Sequence, residues 1–374
     1  MDNIQMVDLA NQYNKIKNEI DTAIQEVIDS TAFVKGTKVK EFEANMARFL
    51  DVKHVISVGN GTDALQIALM SLDLKLGDEV IVPDFTFIAS AEVVALLGLT
   101  PVFADVNYET FNINPSSIKK AISPKTKAII PVHLFGQGAE MEEINKIAKE
   151  YNLYVVEDNA QAIGADYCFR DGQRKKLGTI GDIGCTSFFP SKNLGCFGDG
   201  GAIFTNDDKL AEKIRTIANH GMKERYYHDM LGVNSRLDTL QAAVLDVKLK
   251  YLDNYCSSRF NAAMYYNEAL ANVNGVVTPA LSEFTTHVFH QYTLKISNGK
   301  RNELRAFLSD RQIPAMIYYP VPLHKQKVFS FSAHVGDAMT VSDALADEVL
   351  SLPMHTELTT QQDYIIGVIK EFFS

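Results

Sequence analysis

The stretch Gly181–Asn206, GDIGCTSFFPSKNLGCFGDGGAIFTN, decides how the rest of the chain is read. It sets one lysine, Lys192, between a Ser-Phe-Phe run and a glycine-rich loop, then returns to a strand-like AIFT. Apolar and aromatic neighbours crowd that amine from one side and close-packing backbone from the other. An amine buried without a carboxylate partner loses affinity for its proton and becomes a usable nucleophile and base. Schiff-base chemistry uses such an amine. A lone loop lysine is more often a solvated surface group, so the weight falls on the neighbouring stretches. The loop GCFGDGG leads into a strand and not a helix, so it is no dinucleotide fingerprint, and a nicotinamide enzyme is disfavoured.

Upstream of this stretch, strand and helix signals alternate. HVISVGN, EVIVPDFTF, TPVFADV, KAIIPVHL and LYVVEDNA read as strands. GTDALQIALMSLDL, SAEVVALLGL, SSIKKAI and MEEINKIAKEYN read as the helices between them. Apolar β-branched runs in this alternation predict a mainly parallel sheet covered on both faces, with CTSFFP and GGAIFTND as its last strands. Before it, residues 14–29 and the KVKEFEANMARFLDV segment repeat apolar positions at helical spacing. Downstream, residues 236–272 carry one long helical pattern without proline, which predicts a helix linking two domains. Beyond Pro279 the chain is mixed, with HQYTLKIS and AMIYYP expected as strands and RNELRAFLSDR and VSDALADEVLSL as helices. The expected division is a large domain, 1–250, and a smaller α+β domain, 251–374.

The 374 residues suffice for a large core and two unequal domains. A formal net charge of −10 and the lack of a Lys/Arg-rich run argue against nucleic acid as a partner. The N-terminus has no basic-then-apolar signal pattern, and no apolar run approaches the roughly 18 residues of a membrane span. Cys168, Cys185, Cys196 and Cys256 form no C-x-x-C pair and have no histidine at ligand spacing. They read as reduced packing residues of a cytoplasmic protein, and no metal site is expected.

Three further stretches carry chemistry. Gly59-Asn60-Gly61-Thr62-Asp63 sits at a strand-to-helix turn, where free amides and the helix dipole make an anion site suited to phosphate. An ordinary N-cap would use the same residues, and the lysine of a nucleotide P-loop is missing. Asp158, after the apolar run LYVV, falls at the carboxyl end of a buried strand, where ligands of open α/β sheets bind. A carboxylate there could hold a protonated pyridine nitrogen, or cap the next helix. Phe85 and Phe87 lie on a loop after another strand, where one ring could stack on a flat cofactor.

Taken together, NGTDALQIAL, EDNAQAIGA, SFFPSKNLGCFGDGGA and GVNSRLDTLQAA resemble the DegT/DnrJ/EryC1/StrS family of nucleotide-sugar aminotransferases. The resemblance runs from VDLANQY to YYPVPLHKQ, nearly the whole chain. It implies the pyridoxal 5′-phosphate fold-type I, with a mainly parallel seven-stranded sheet flanked by helices and a smaller C-terminal domain. It further implies that Lys192 holds the cofactor as a Schiff base and moves a proton between substrate and cofactor. Asp158 matches the partner of the pyridine nitrogen, and Gln161 the residue near the ring hydroxyl. Thr62, Asp63 and Ser187 match phosphate-binding positions, Asp63 through its backbone N–H. Phe87 matches the stacked aromatic. Asn234 matches the residue reaching the neighbouring subunit's cofactor, which implies a homodimer with shared sites. Arg236 and Tyr319 fall where the family contacts substrate, and His324 lies near them. Relatives that replace the lysine with histidine are dehydratases; here the lysine is present.

The narrower likeness is to enzymes that aminate C3 of a UDP-linked 2-acetamido-3-keto-glucuronate with L-glutamate, for surface polysaccharide. Enzymes of dTDP-linked 3-keto-6-deoxy sugars share much of the pattern. Relatives often carry His-Tyr-Pro where this chain has Tyr318-Tyr319-Pro320. Arg236, Arg225 or Lys223 could supply a cation for the sugar carboxylate. A cofactor-binding regulator would need an added effector or DNA-binding segment, and the chain has none to spare.

Overall fold

The computed structural model describes residues 4–330, 334–358 and 360–374. The expected β-branched runs form β1 (His54–Val58), β2 (Glu79–Pro83), β3 (Thr100–Ala104), β4 (Thr126–Ile129), β5 (Tyr154–Asp158), β6 (Ile183–Ser187) and β7 (Gly201–Thr205). Their order across the sheet is β1-β7-β6-β5-β4-β2-β3. β7 runs antiparallel to both neighbours, and the remaining pairs are parallel. Two antiparallel steps return β1 to the direction of β6, so the carboxyl ends of β1 to β6 share one edge. Asp158 ends β5 at that edge, and loops leaving it carry Asn60, Asp84 and Lys192.

Alternation along each strand buries both faces. Val156 packs with Ala64, Leu65 and Ala68 of the helix Gly61–Met70 on one side. Its neighbour Val155 packs with Ile144 and Ile147 of the helix Met141–Tyr151 on the other. This is the fold-type I arrangement.

The later part of the chain adds β8 (Val276–Val277), β9 (Tyr292–Ile296), β10 (His334–Val335) and β11 (Val349–Leu352). β8, β9 and β11 form an antiparallel sheet around a second core of Tyr266, Tyr292, Leu294, Leu350 and Ile369. The short β10 extends the main sheet beyond β3 as an eighth strand, in parallel register with Val102 and Phe103.

Several expectations are corrected. The long helical pattern is two helices, Thr239–Leu249 and Leu252–Leu270, with Tyr251 between them at φ −105° and ψ −1°. The first packs with Ile20, Ala23 and Val27, and the second gives Ala263, Tyr266 and Leu270 to the second core. Two partners pull one continuous periodic pattern in two directions. We propose the domain division at this step. The helix expected over VSDALADEVLSL ends at Glu348, because fully buried Val349–Leu352 pairs edge-on with β9. AMIYYP is not a strand; Met316 makes one isolated bridge to Ser351, and Pro320 has no N–H to continue a ladder. The terminal helix Thr360–Phe373 and a hairpin joining 166–168 to 174–176 were not among the expected elements.

Candidate active site

Lys192 sits on the loop that connects β6 to β7. Its N–H donates to Phe189 O at 2.8 Å and the Cys196 N–H to Phe188 O at 2.9 Å, so the loop folds back on itself. Gly195 lies against the carbonyls of Phe189 and Pro190, leaving no room for a Cβ. Burial pushes the Lys192 amine down to about 8, opposed by the Asp158 carboxylate. No salt bridge holds this amine among the described residues.

Asp158 ends β5 and is 6% exposed. Its Oδ2 accepts from Ser90 Oγ at 2.8 Å and its Oδ1 from the Ala160 N–H at 3.1 Å. The preceding residue, Glu157, points to the opposite face of the strand. There it accepts from the N–H groups of Gly178, Ile180 and Gly181 and from His133 Nε2. His133 Nδ1 accepts from the Ala139 N–H at 3.1 Å, which leaves the ring proton on Nε2. Two adjacent carboxylates thus divide the work: Glu157 ties backbone together, and Asp158 presents to the cleft.

Gln161 is fixed at both ends. The Phe135 N–H donates to its Oε1 at 2.7 Å, and its Nε2 donates to Tyr319 Oη at 3.2 Å. Burial raises the Tyr319 phenol, which keeps it neutral. Its ring lies 6.1 Å from Phe85 and 6.2 Å from Phe87. Phe85 is buried, whereas Phe87 is 54% exposed and open to a ligand ring.

At the start of the helix Gly61–Met70, Asn60 Oδ1 accepts the Asp63 N–H at 2.8 Å. The amide expected to serve phosphate at Asp63 is therefore engaged by this cap. The Gly61 and Thr62 amides precede the first helical bond, Ala64 N–H to Asn60 O, and are the orphan donors of the turn. A Cβ on Gly61 would stand 2.7 Å from Ser187 Cβ, so glycine is what brings Ser187 beside this turn. The Asp63 carboxylate is occupied: Ser235 Oγ donates to it at 2.5 Å and accepts from the Gly59 N–H at 2.8 Å.

Ser235 points inward, so its neighbours Asn234 and Arg236 point away from it. Asn234 is exposed and bridges Asn219. Arg236 stands close to Lys35, whose amine is pushed down by burial and by that guanidinium. Among the described residues neither Lys35 nor Arg236 has a carboxylate partner, whereas Lys223 pairs with Glu212 at 2.6 Å and Arg225 lies over Tyr226. His324 is bonded to Asp84 at 2.7 Å.

Sequence reasoning missed Ser90, Ser235 and the buried Lys248, whose Nζ donates to Gly195 O at 2.6 Å. None of these three carries a local signal, whereas Asn60 is legible within the glycine-flanked turn before a helix. Among the described residues no group of three or more His, Cys, Asp or Glu could hold a metal, and no helix is long and apolar enough to cross a membrane. The edge thus presents an amine close to neutrality, a held carboxylate, an open aromatic ring and free helix amides beside a serine hydroxyl. That donor set fits a flat pyridine carrying a phosphate.

Comparison with known proteins agrees. The sequence matches the DegT/DnrJ/EryC1/StrS aminotransferase family over residues 14–370. It is 48% identical over 374 residues to a pleiotropic regulatory protein of Geobacillus stearothermophilus, covering 99% of each chain. It is 46% identical to the UDP-2-acetamido-2-deoxy-3-oxo-D-glucuronate aminotransferase of Pseudomonas aeruginosa, covering 97% of this chain and 98% of that one. A DegT DnrJ EryC1 StrS aminotransferase from Brucella abortus superposes with a TM-score of 0.95 at 41% identity, over 99% of this chain and 100% of that one. The chain belongs to the DegT/DnrJ/EryC1/StrS family and is a pyridoxal-phosphate-dependent sugar-nucleotide aminotransferase.

Proposed function

We propose that this enzyme moves an amino group from L-glutamate to C3 of UDP-linked 2-acetamido-3-keto-glucuronate, in ping-pong order, for surface polysaccharide synthesis. The observation that carries the amino transfer is Lys192, half-buried, with its amine pushed down to about 8 by burial and Asp158 close enough to act on it. Pyridoxal phosphate, once bound, supplies an electron sink for the carbon that loses its proton.

The chain's residues divide the remaining work. Lys192 Nζ takes the proton from the glutamate α-carbon and, in the second half-reaction, returns one to the sugar carbon. Asp158, held by Ser90, keeps the pyridine nitrogen protonated. Gln161 and Phe87 orient the ring, and Thr62, Gly61 and Ser187 receive the phosphate. Arg236 is the cation favoured for the sugar carboxylate, because Lys223 is already paired and Arg225 is stacked on Tyr226. Exposed Asn234 is available to a second copy of the chain, in keeping with a homodimer that shares its sites.

A second reading keeps the chemistry and changes the acceptor to a dTDP-linked 3-keto-6-deoxy sugar, because dTDP-sugar transaminases are also among the similar proteins. Visible absorbance decides between them. The purified protein should be yellow with cofactor and bleach on adding L-glutamate, with a Lys192→Ala variant lacking the linked band. A panel of UDP- and dTDP-linked keto sugars should then restore the colour, fastest with the UDP-linked 3-keto-glucuronate. Faster return of colour with a dTDP-linked 3-keto-6-deoxy sugar would favour the second reading.

A further inference from the structure

One buried contact ties the loop leaving β2 to the segment that carries Tyr319. Asp84 follows β2, and its side chain is fully buried. Residue 324 meets it twice: the His324 N–H donates to Asp84 Oδ1 at 2.7 Å, and Nδ1–H donates to Oδ2 at 2.7 Å. The adjacent Leu323 N–H donates to Asp84 O at 2.9 Å. On its far side His324 Nε2 faces Asp343 Oδ1 at 3.7 Å, and Lys325 Nζ shares that carboxylate at 2.5 Å. Burial raises the Asp84 carboxyl, and the donors of His324 oppose that rise.

What this contact joins gives it meaning. Asp84 leads directly into Phe85 and Phe87, and His324 closes the segment that begins at Tyr319. The Tyr319 ring touches both phenylalanines, and its oxygen accepts from Gln161. A side chain that only sealed the lobes together would not need to sit on the loop supplying the ring-stacking residue. We propose that His324 is a positioning residue: through Asp84 it locks the 319–325 segment to the 84–87 loop and so sets Tyr319 against Gln161 and Phe87. The inference rests on the cofactor site assigned above.

The test uses the full chain, apo and loaded with pyridoxal phosphate, as wild type, His324→Ala, His324→Asn, Tyr319→Phe and the His324→Ala/Tyr319→Phe double variant. In the apo protein, His324→Ala should speed amide exchange about tenfold in both 84–87 and 319–325. In the loaded protein it should shift the cofactor band and slow bleaching by glutamate roughly tenfold. The Asn variant, whose amide can stand where Nδ1–H stood, should restore both. If His324 acts through Tyr319, the double variant loses little more than either single one.

The proposal is overturned if His324→Ala loosens 319–325 alone and leaves the band and bleaching within about twofold of wild type. Losses that multiply in the double variant overturn it too. Should the Ala variant fail to fold, Asn against Gln decides: Gln places its amide one carbon too far and should show the defect, and equal behaviour overturns the inference. The exchange arm reads the clamp even in a protein that takes up no cofactor, so failure of the cofactor reading is separately visible.

Discussion

Two lysines flank the same loop, and their amines look alike. Lys192 and Lys248 are each pushed down to about 8, in both cases chiefly by burial. Their surroundings differ. Lys248 Nζ donates to Gly195 O at 2.6 Å and lies 5.6 Å from the Phe197 ring, so it is bonded into the wall. Among the described residues the Lys192 amine has no bonded carboxylate; it feels the field of Asp158 and lies on the loop leaving the strand edge. A depressed pKa marks burial; what marks chemistry is an amine whose hydrogens are uncommitted and whose neighbours could hold a substrate.

The largest break in this comparison should come from Lys192→Ala, which removes the proposed proton carrier while keeping the loop. Transamination should fall at least about a thousandfold, with the fold intact by circular dichroism. Asp158→Asn comes next, with a drop of about a hundredfold in the glutamate half-reaction. The Ser90 Oγ bond can still be made to the amide oxygen, so the folded state should survive. Full activity in that variant would remove Asp158 from its assigned role.

A smaller effect separates the two amines by reagent. Capture of pyridoxal phosphate by apo protein, trapped with borohydride and mapped by mass spectrometry, requires a neutral amine. With a value of about 8 at Lys192, the capture rate should rise about tenfold between pH 7 and 9 and then level, where an ordinary lysine would keep climbing towards 10.5. The label should fall on Lys192 and not on Lys248. Equal labelling would erase the distinction drawn here.

How much of this was legible follows from where each residue's partner lies in the chain. The placement of Lys192, Asp158 and Phe87 could be read because each lies at or beyond the end of an apolar strand, and strand ends in this fold converge. The Asn60 turn could be read because a glycine-flanked cap before a helix is a local pattern. Ser90 could not, since a serine early in a helix gives no hint that a carboxylate 68 residues later needs its hydroxyl. Lys248 reads as one more solvated helix residue until Gly195 is brought beneath it. The break at Tyr251 was hidden because the periodicity runs on through it. Val349–Leu352 misled because a four-residue, mostly apolar run, VLSL, fits a helix end or a strand equally well.

Lys248→Met should give the mildest change and the sharpest contrast. The carbonyl of Gly195 loses its donor, which costs about 1–3 kcal/mol, while removal of a buried charge returns part of that. Turnover should fall only about threefold, because Lys192 keeps its own amine and Asp158. The pH dependence of stability carries the clearer signature. In wild type the folded amine of Lys248 sits at about 8 and its ordinary value is 10.5. Between those limits the unfolded chain binds more protons than the folded one, so stability climbs as pH rises through this window, and the cost of burial is fully present below about 8. Lys192 adds a second slope of the same sign. Chemical denaturation at pH 7.5 and at pH 10 should therefore show Lys248→Met gaining less than wild type over that span. A variant that kept the full wild-type slope would mean that Lys248 is not a buried cation, and the likeness between the two amines would fail.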